Sequence, residues 1–215
     1  MSTSSGDTGI ADRIRNAAFS GRITSAADAV RHIHPGDTVA ISGFASAGTP
    51  KDSIPALAER IREARAGGSD FTINLLTGAS VSTDTERLLS EVEGIALRMP
   101  YQSEPTARGR INRGQMDYVD IHLSHVAQQV WQGYYGHIDV AIVEVAGITE
   151  SGELIPSASI GNNKTWLDVA DKIILEVNSW VPAEMEGIHD VYYGTALPPD
   201  RRPIQLTRVD DRIGQ

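Results

Sequence analysis

Short apolar runs alternate with helical patterns along most of this chain, and this alternation constrains the fold more than any other feature. Runs of about four to eight residues separated by amphipathic helices are typical of parallel strands joined by crossover connections. The predicted strands are Thr38–Ile41, Phe71–Leu76, Ile95–Met99, Asp117–His122, Ile138–Val145 and Lys172–Val177.

Apolar residues at helical spacing predict the connecting helices. These are Ile10–Phe19, Ser25–His34, Ile54–Ala66, Thr83–Val92, Thr106–Arg113, Val126–Trp131 and Trp166–Ala170. Because nearly all crossovers between parallel strands are right-handed, the helices are expected on both faces of the sheet. The sequence therefore predicts an α/β fold with an open, mostly parallel, doubly wound sheet.

The two ends of the chain differ in composition from the middle. Residues 1–9 are mostly Ser, Thr, Gly and Asp, and predict a flexible tail. Residues 10–194 contain all the predicted strands and helices, and form one α/β domain. Residues 195–215 contain three prolines, which deny the chain helix and ladder hydrogen bonds, and are expected to form an extended linker.

Charge and composition exclude several classes of function. The formal net charge is −9, from 28 acidic and 19 basic residues, which argues against a general nucleic-acid surface. Aromatic residues make up 6% of the chain, too few to favour a base-stacking platform. The sequence contains no cysteine, so disulfides, thiolate nucleophiles and cysteine metal sites are excluded.

No apolar run approaches the roughly 20 residues of a membrane-spanning helix. The N-terminal sequence also has no apolar core of a signal peptide, so a cytoplasmic location without membrane association is expected.

Small residues follow the first two predicted strands, and hydroxyl and amide groups follow the third, at the carboxyl edge where ligands bind in open parallel sheets. The backbone N–H groups of the first loop could hold an oxyanion or phosphate at the next helix N-terminus. In the second loop, Ser80 is either a ligand-binding hydroxyl or the cap of the following helix. The candidate residues are Ser42, Gly43, Phe44, Ala45 and Gly48 in the first loop, Thr77, Gly78 and Ser80 in the second, and Ser103 in the third.

Three further features carry weaker signals. His122 and His125 have a spacing compatible with a metal, but no acidic cluster lies near them in the sequence. The segment Thr149–Glu153 is typical of a hairpin turn. Glu144 lies within a buried-type strand, and is expected either to pair with a buried partner or to project into a cleft.

Several of these segments together resemble the acetyl-CoA hydrolase/transferase family, which belongs to the class I coenzyme A transferases. Its branch acting on succinyl-CoA and propionyl-CoA is the most similar. The resemblance runs from about Arg13 to the C-terminus. It is carried by GDTVAISGFASAGTPKDSIPALAERI, INLLTGAS, RMPYQSEPTARGRIN, DIHLSHVAQQV, IDVAIVEVAGITESGELIPSASIGNN and EGIHDVY.

The resemblance implies a two-domain enzyme in which a glutamate attacks an acyl-CoA thioester and forms an acyl-glutamyl anhydride. A glutamyl-CoA thioester follows, and a second acid takes the coenzyme A away. The family's glutamate lies in the C-terminal half, and no residue of this chain matches its motif. The resemblance therefore implies an N-terminal domain whose partner is the C-terminal domain, and a chain without catalytic residues of its own.

The family also suggests roles for individual residues. Ser80 and Ser103 match hydroxyl positions that face the active-site cleft, although the family often has Thr where Ser103 stands. The loop from Ser42 to Gly48 matches a cleft-lining loop, and Arg212 is a candidate for carboxylate or phosphate recognition. Coenzyme A enters as a substrate; no metal or other cofactor is implied. Acyl-CoA, short carboxylic acids and a second copy in a homodimer are the expected partners.

Two alternative functions stay open at this stage. One is an acetyl-CoA hydrolase, in which water accepts the acyl group. The other is a non-catalytic module that binds a small anion, because related sheets also occur in sugar-phosphate isomerases and effector-binding domains. If a cleft is formed, we expect Phe44, Met99 and Tyr101 to lie partly exposed at its edge.

Overall fold

A seven-stranded sheet forms the centre of the computed structural model, which describes residues 9–79 and 83–189 and the single residues 191, 200 and 208. The strands are β1 (Thr38–Ile41), β2 (Ile73–Thr77), β3 (Ile95–Met99), β4 (Asp117–Tyr118), β5 (Ile138–Ile148), β6 (Leu154–Pro156) and β7 (Ala170–Val177).

The strand order is β4-β3-β2-β1-β5-β6, and β7 pairs with β5. All pairs are parallel except β5 with β6, which form an antiparallel hairpin. Val39 of β1 lies in register with Leu75 of β2 on one side and Val140 of β5 on the other. The chain thus winds outward from β1 in both directions, which confirms the predicted doubly wound α/β fold.

Eight α-helices lie in the described part of the chain. They are α1 (Ile10–Arg13), α2 (Ala17–Ser20), α3 (Ala26–Ala29), α4 (Ser53–Ala66), α5 (Thr83–Glu91), α6 (Pro105–Asn112), α7 (Leu123–Trp131) and α8 (Asn163–Val169). Ser25 accepts a hydrogen bond from the N–H of Asp28 and so caps α3, as its position in the sequence predicts.

The buried side chains form two clusters, one on each face of the sheet. Val39 and Ile41 of β1 point into the cluster that holds α4 and α5, while Ala40 between them points into the opposite cluster. Trp166 of α8 is fully buried in that second cluster. Strands covered on both faces read as continuous apolar runs, which explains why they stand out in the sequence.

The structure corrects three predicted elements. The helix predicted at Ile10–Phe19 is broken into α1 and α2, because Ile14 forms a parallel bridge with Ile148 and the Arg15 N–H donates to the Ile148 carbonyl at 3.0 Å. The fourth strand ends at Tyr118, well before His122. The fifth strand continues to Ile148, because β6 supplies it with a partner.

The predicted flexible tail and linker fall almost entirely outside the described residues, so the boundaries at residues 9 and 195 stay predictions. None of the helices in the described ranges has the length and apolar character that a membrane crossing requires.

Candidate functional site

The strands β1 and β5 are neighbours at the centre of the sheet, where the winding direction reverses. Open α/β sheets form a crevice at such a switch point. The loop after β1 begins there with Ser42, whose N–H donates to the Ile142 carbonyl of β5 at 2.9 Å. The candidate site is therefore built around this loop and the two loops beside it, which follow β2 and β3.

The buried side chain of Ser42 holds the loop after β1 in place through hydrogen bonds. Its fully buried hydroxyl accepts the Glu144 N–H at 2.9 Å and donates to the Gly48 carbonyl at 2.8 Å. Gly43 has a φ of +120° and Gly48 a φ of +66°, and both are conformations that L side chains rarely adopt. A Cβ on Gly48 would lie 2.6 Å from the Ser159 hydroxyl, so close packing also requires glycine there.

The helix N-terminus after this loop does not provide the anion site that the sequence suggests. Glu176 of β7 accepts the Ser53 N–H at 2.8 Å, the Ser53 hydroxyl at 2.6 Å and the Asp52 N–H at 3.2 Å. It also accepts the N–H of Lys51. The prediction of a phosphate at this position is wrong, because a carboxylate of the same chain already occupies these donors.

Glu144 pairs with a cation, but the partner is not buried as the first of the two alternatives expects. The Glu144 side chain is 1% exposed and forms an ion pair with the Nζ of Lys51, whose own side chain is 50% exposed. The same Nζ donates to the Thr49 carbonyl at 2.7 Å. The Glu144 carboxylate therefore holds the C-terminal end of the β1 loop against β5.

The loop after β2 lies directly against the loop after β1. A Cβ on Gly78 would lie 3.4 Å from the Gly43 carbonyl oxygen, so the two glycine backbones are in close contact. Thr77 is fully buried and its hydroxyl donates to the Ala79 carbonyl. Ser80, the candidate hydroxyl of this loop, falls outside the described residues, and so does Arg212.

The loop after β3 is joined to the loop after β2 by Arg98, which the sequence analysis does not identify. Its guanidinium donates to the Tyr101 carbonyl at 3.0 Å and to the Ala79 carbonyl at 3.2 Å. Arg98 also pairs with Glu86 at 2.6 Å, and neither side chain is exposed. An arginine inside a run that reads as a buried strand is the sequence signal that could have revealed it.

Burial changes the protonation equilibria at the end of β3. Desolvation lowers the pKa of Arg98, and the neighbouring Glu86 carboxylate opposes that shift. Desolvation also raises the pKa of Tyr118, whose hydroxyl donates to the Pro100 carbonyl at 3.1 Å.

The exposed edge of the three loops agrees in part with the expected apolar patch. Phe44 is 51% exposed and Tyr101 is 54% exposed, while Ala45 and Ser103 are also exposed. Met99 is fully buried, so its predicted exposure is wrong. The reason is that Met99 belongs to β3 itself and packs in the cluster beneath the sheet.

The two histidines and the segment from Thr149 to Glu153 lie on other elements, at the start of α7 and between β5 and β6. The exposed rings of His122 and His125 are 5.6 Å apart, and the Nδ1 of His122 lies 2.8 Å from the Ser124 hydroxyl. In the part of the chain that the structure describes, no group of three or more His, Asp or Glu side chains could hold a metal. The segment from Thr149 to Glu153 forms the predicted hairpin turn between β5 and β6.

A cavity of about 580 Å³ lies between the β5–β6 hairpin and α8, and is also lined by Glu186, Gly187, His189 and Val191. Asn163 and Lys164 of α8 line it. It is not bordered by the β2 or β3 loops, so it does not coincide with the candidate site.

A mostly parallel α/β sheet with glycine loops at its switch point defines a domain of the doubly wound α/β class. The sequence makes the assignment more specific. The model of the acetyl-CoA hydrolase/transferase N-terminal domain matches residues 10–197. The chain belongs to this family.

The curated relatives of this chain are named either CoA-transferases or acetyl-CoA hydrolases. The chain is 38% identical to the succinyl-CoA:acetate CoA-transferase of Clostridium kluyveri over 94% of its length and 37% of that protein. It is 37% identical to the propanoyl-CoA:succinate CoA transferase of Escherichia coli over 88% of its length and 38% of that protein. It is 40% identical to the acetyl-CoA hydrolase of Schizosaccharomyces pombe over 96% of its length and 40% of that protein. The chain thus spans 37–40% of the length of these relatives.

The similarity to solved structures supports the fold alone, because the sequence identities between those proteins and this chain are low. RipA from Yersinia pestis has a TM-score of 0.57 at 19% identity, covering 74% of this chain and 37% of that one. Glutaconate coenzyme A-transferase from Acidaminococcus fermentans has a TM-score of 0.52 at 11% identity, covering 71% of this chain and 68% of that one.

Proposed function

We propose that this domain binds an acyl-CoA and a short carboxylic acid at the loops after β1, β2 and β3, as part of a CoA-transferase. One observation carries the proposal. Contacts join these loops into one surface, from Gly43 to Gly78 and from Ala79 through Arg98 to Tyr101. The names of the Clostridium kluyveri and Escherichia coli relatives supply the class of substrate.

We further propose that the nucleophilic glutamate comes from a second domain rather than from this chain. A nucleophilic carboxylate needs a free oxygen that faces the substrate. The candidates nearest the β1 loop are already engaged in the fold, Glu144 by Lys51 and Glu176 by the N-terminus of α4. Glu86 is likewise held by Arg98.

Within this proposal, Ser80 and Ser103 hydrogen-bond the acid, and Arg212 contributes to the recognition of carboxylate or phosphate. The C-terminal domain of the family covers the exposed Phe44 and Tyr101. The absence of a metal and of any cofactor besides the substrate coenzyme A, the homodimer and the cytoplasmic location are proposed on the resemblance alone.

An acetyl-CoA hydrolase is the second candidate, supported by the 40% identity to the Schizosaccharomyces pombe enzyme. The difference between the two reactions is whether a second acid takes up the coenzyme A or water releases it by hydrolysis. A sugar-phosphate module is less well supported, because Glu176 occupies the N–H groups at the start of α4 that would bind a phosphate.

Titration of the chain with acetyl-CoA, succinate and a sugar phosphate tests the proposal. We expect saturable binding of acetyl-CoA or succinate, and none of the sugar phosphate. Binding of the sugar phosphate alone would contradict the proposal. In an acyl-exchange assay with acetyl-CoA and succinate, the chain alone should be inactive. Turnover in the usual enzymatic range of about 1–1000 per second would show that the nucleophile lies within it.

Variants in the two candidate serines test the acid site. Replacing Ser80 or Ser103 by alanine should weaken succinate binding about tenfold, which corresponds to one lost hydrogen bond. Ser69→Ala is the matched control, because Ser69 is an exposed serine between α4 and β2, outside the three loops. Equal affinity in all three variants would remove both serines from the site.

A further inference from the structure

A fully buried polar network lies beneath the loops after β2 and β3. It consists of Arg98 at the end of β3, Glu86 of α5 and Gln102 of the β3 loop, and is called the Arg98 network below. Arg98 Nε donates to Gln102 Oε1 at 2.8 Å, and Gln102 Nε2 donates to Glu86 Oε2 at 2.8 Å. Arg98 Nη2 closes the ring by donating to Glu86 Oε1 at 2.6 Å.

We infer that Arg98 is a positioning residue, which holds the loops after β2 and β3 in the arrangement that binds one carboxylic acid. This inference rests on the proposed function, since it assigns a role to the support of the same acid site.

The contacts place the guanidinium at the junction of the two loops. It donates to the Ala79 carbonyl of the β2 loop, and to the carbonyls of Met99 and Tyr101 in the β3 loop. Ala79 immediately precedes Ser80 in the sequence, and Tyr101 lies two residues before Ser103. A shift of one loop relative to the other would therefore break hydrogen bonds to a charged donor inside the protein.

The β2 loop is attached to Arg98 on both of its sides. Ala79 binds Arg98 before Ser80, and Glu86 binds it after Ser80, within the helix that follows. Ala79 and the helix α5 are thus bound to the same planar group. Lysine could not replace it, because a single ammonium cannot reproduce the forked arrangement of donors.

Arg98 itself is unsuited to binding substrate. Each of its three nitrogens donates to an acceptor of the protein, and its side chain is completely buried. An acid would have to displace Glu86 or the loop carbonyls to reach it. Its effect on binding is therefore indirect, through the position of the loops.

The test compares the wild-type chain with Arg98→Lys and with the double variant Arg98→Met/Glu86→Met. The double variant removes both buried charges together, which avoids leaving one of them unpaired and lets the chain fold. Arg87→Met is the control, because Arg87 lies on the same helix as Glu86 but forms exposed ion pairs with Asp84 and Glu91. Circular dichroism checks the fold of each variant.

Two quantities are measured, the hydrogen exchange of amides in residues 77–79 and 100–104 and the dissociation constant of succinate. We expect exchange at both loops to rise about tenfold in Arg98→Lys and in the double variant, with β1 amides unchanged. The dissociation constant of succinate should rise by about the same factor in these two variants and should not change in Arg87→Met.

Folded variants that bind succinate as the wild type does would overturn the inference, whether or not the loops exchange faster. Weaker binding without faster exchange at the loops would also overturn it. If the wild-type chain itself binds neither succinate nor acetyl-CoA, the proposed function fails, and the acid-site role of Arg98 fails with it. Failure of the inference alone is recognised by normal wild-type binding.

Discussion

Two buried carboxylates at the same edge of the sheet are neutralised in different ways. Glu86 pairs with Arg98, and both side chains are completely buried. Glu144 is almost as deeply buried, but its partner Lys51 has half of its side-chain surface exposed. Water can therefore reach the Lys51 pair when it opens, whereas opening the Arg98 pair would leave a charge inside the protein.

The comparison shows that the burial of a carboxylate does not by itself reveal what it does. The Arg98 network joins the loops after β2 and β3, so its loss should affect both of these loops. The Glu144 pair fastens only the exit of the β1 loop, which Ser42 and the glycines also constrain. The following changes test this difference, beginning with the largest expected effect.

Arg98→Met should lower the free energy of unfolding by about 3–5 kcal/mol, because it leaves the Glu86 carboxylate buried without a cation. Urea denaturation measures the change. Adding Glu86→Met should recover a large part of the loss. A decrease below about 1 kcal/mol for the single variant would mean that water reaches Glu86 after all.

Gly43→Ala should lower the free energy of unfolding by about 2–3 kcal/mol, because alanine is strained at a φ of +120° and its Cβ would collide with Thr49. Gly36→Ala is the control for strain alone. Gly36 has a φ of +89°, but no atom lies within 4 Å of its Cβ position. Equal losses in thermal or urea unfolding would show that packing in the β1 loop contributes nothing.

Lys51→Met should cost about 1–2 kcal/mol, less than Arg98→Met, since water can partly replace the lost cation beside Glu144. The double variant Lys51→Met/Glu144→Gln should be at least as stable as Lys51→Met, because the buried charge is removed as well. Urea denaturation of both variants provides the measurement. A loss for Lys51→Met as large as that for Arg98→Met would abolish the distinction between the two pairs.

The smallest effect is expected at the opposite edge of the sheet, where His137 lies 2.6 Å from Asp171. The hydrogen bond to Asp171 raises the pKa of His137 above 6.5. The pair therefore stabilises the fold below the unfolded pKa of about 6.5, and this contribution is lost as pH rises through the folded pKa. The melting temperature of the wild type should exceed that of His137→Gln at about pH 5 and converge with it in alkaline solution. If the difference in melting temperature between the two proteins did not change with pH, the His137–Asp171 pair would be excluded as its cause.

Much of the fold follows from local sequence patterns. The bounds of β1 and β3 agree with their apolar runs, and α4 begins one residue before its predicted start. The periodicity of apolar residues is a local property of the sequence, so it can be recognised without knowing which elements pack together. The limits of β5 and the break between α1 and α2 are not local, because Ile148 pairs both with β6 and with Ile14.

The loops of the candidate site were located by the same reasoning, since small residues after strands indicate the carboxyl edge of a parallel sheet. Local sequence patterns are enough to establish the fold class, the family and the position of these loops. The partners of the charged residues depend on tertiary contacts between distant parts of the chain. Lys51 and Glu144 are 93 positions apart, and Glu176 lies 123 positions from Ser53. Because a buried charge is tolerated only where the fold brings it a partner, such pairs become visible once the chain has folded.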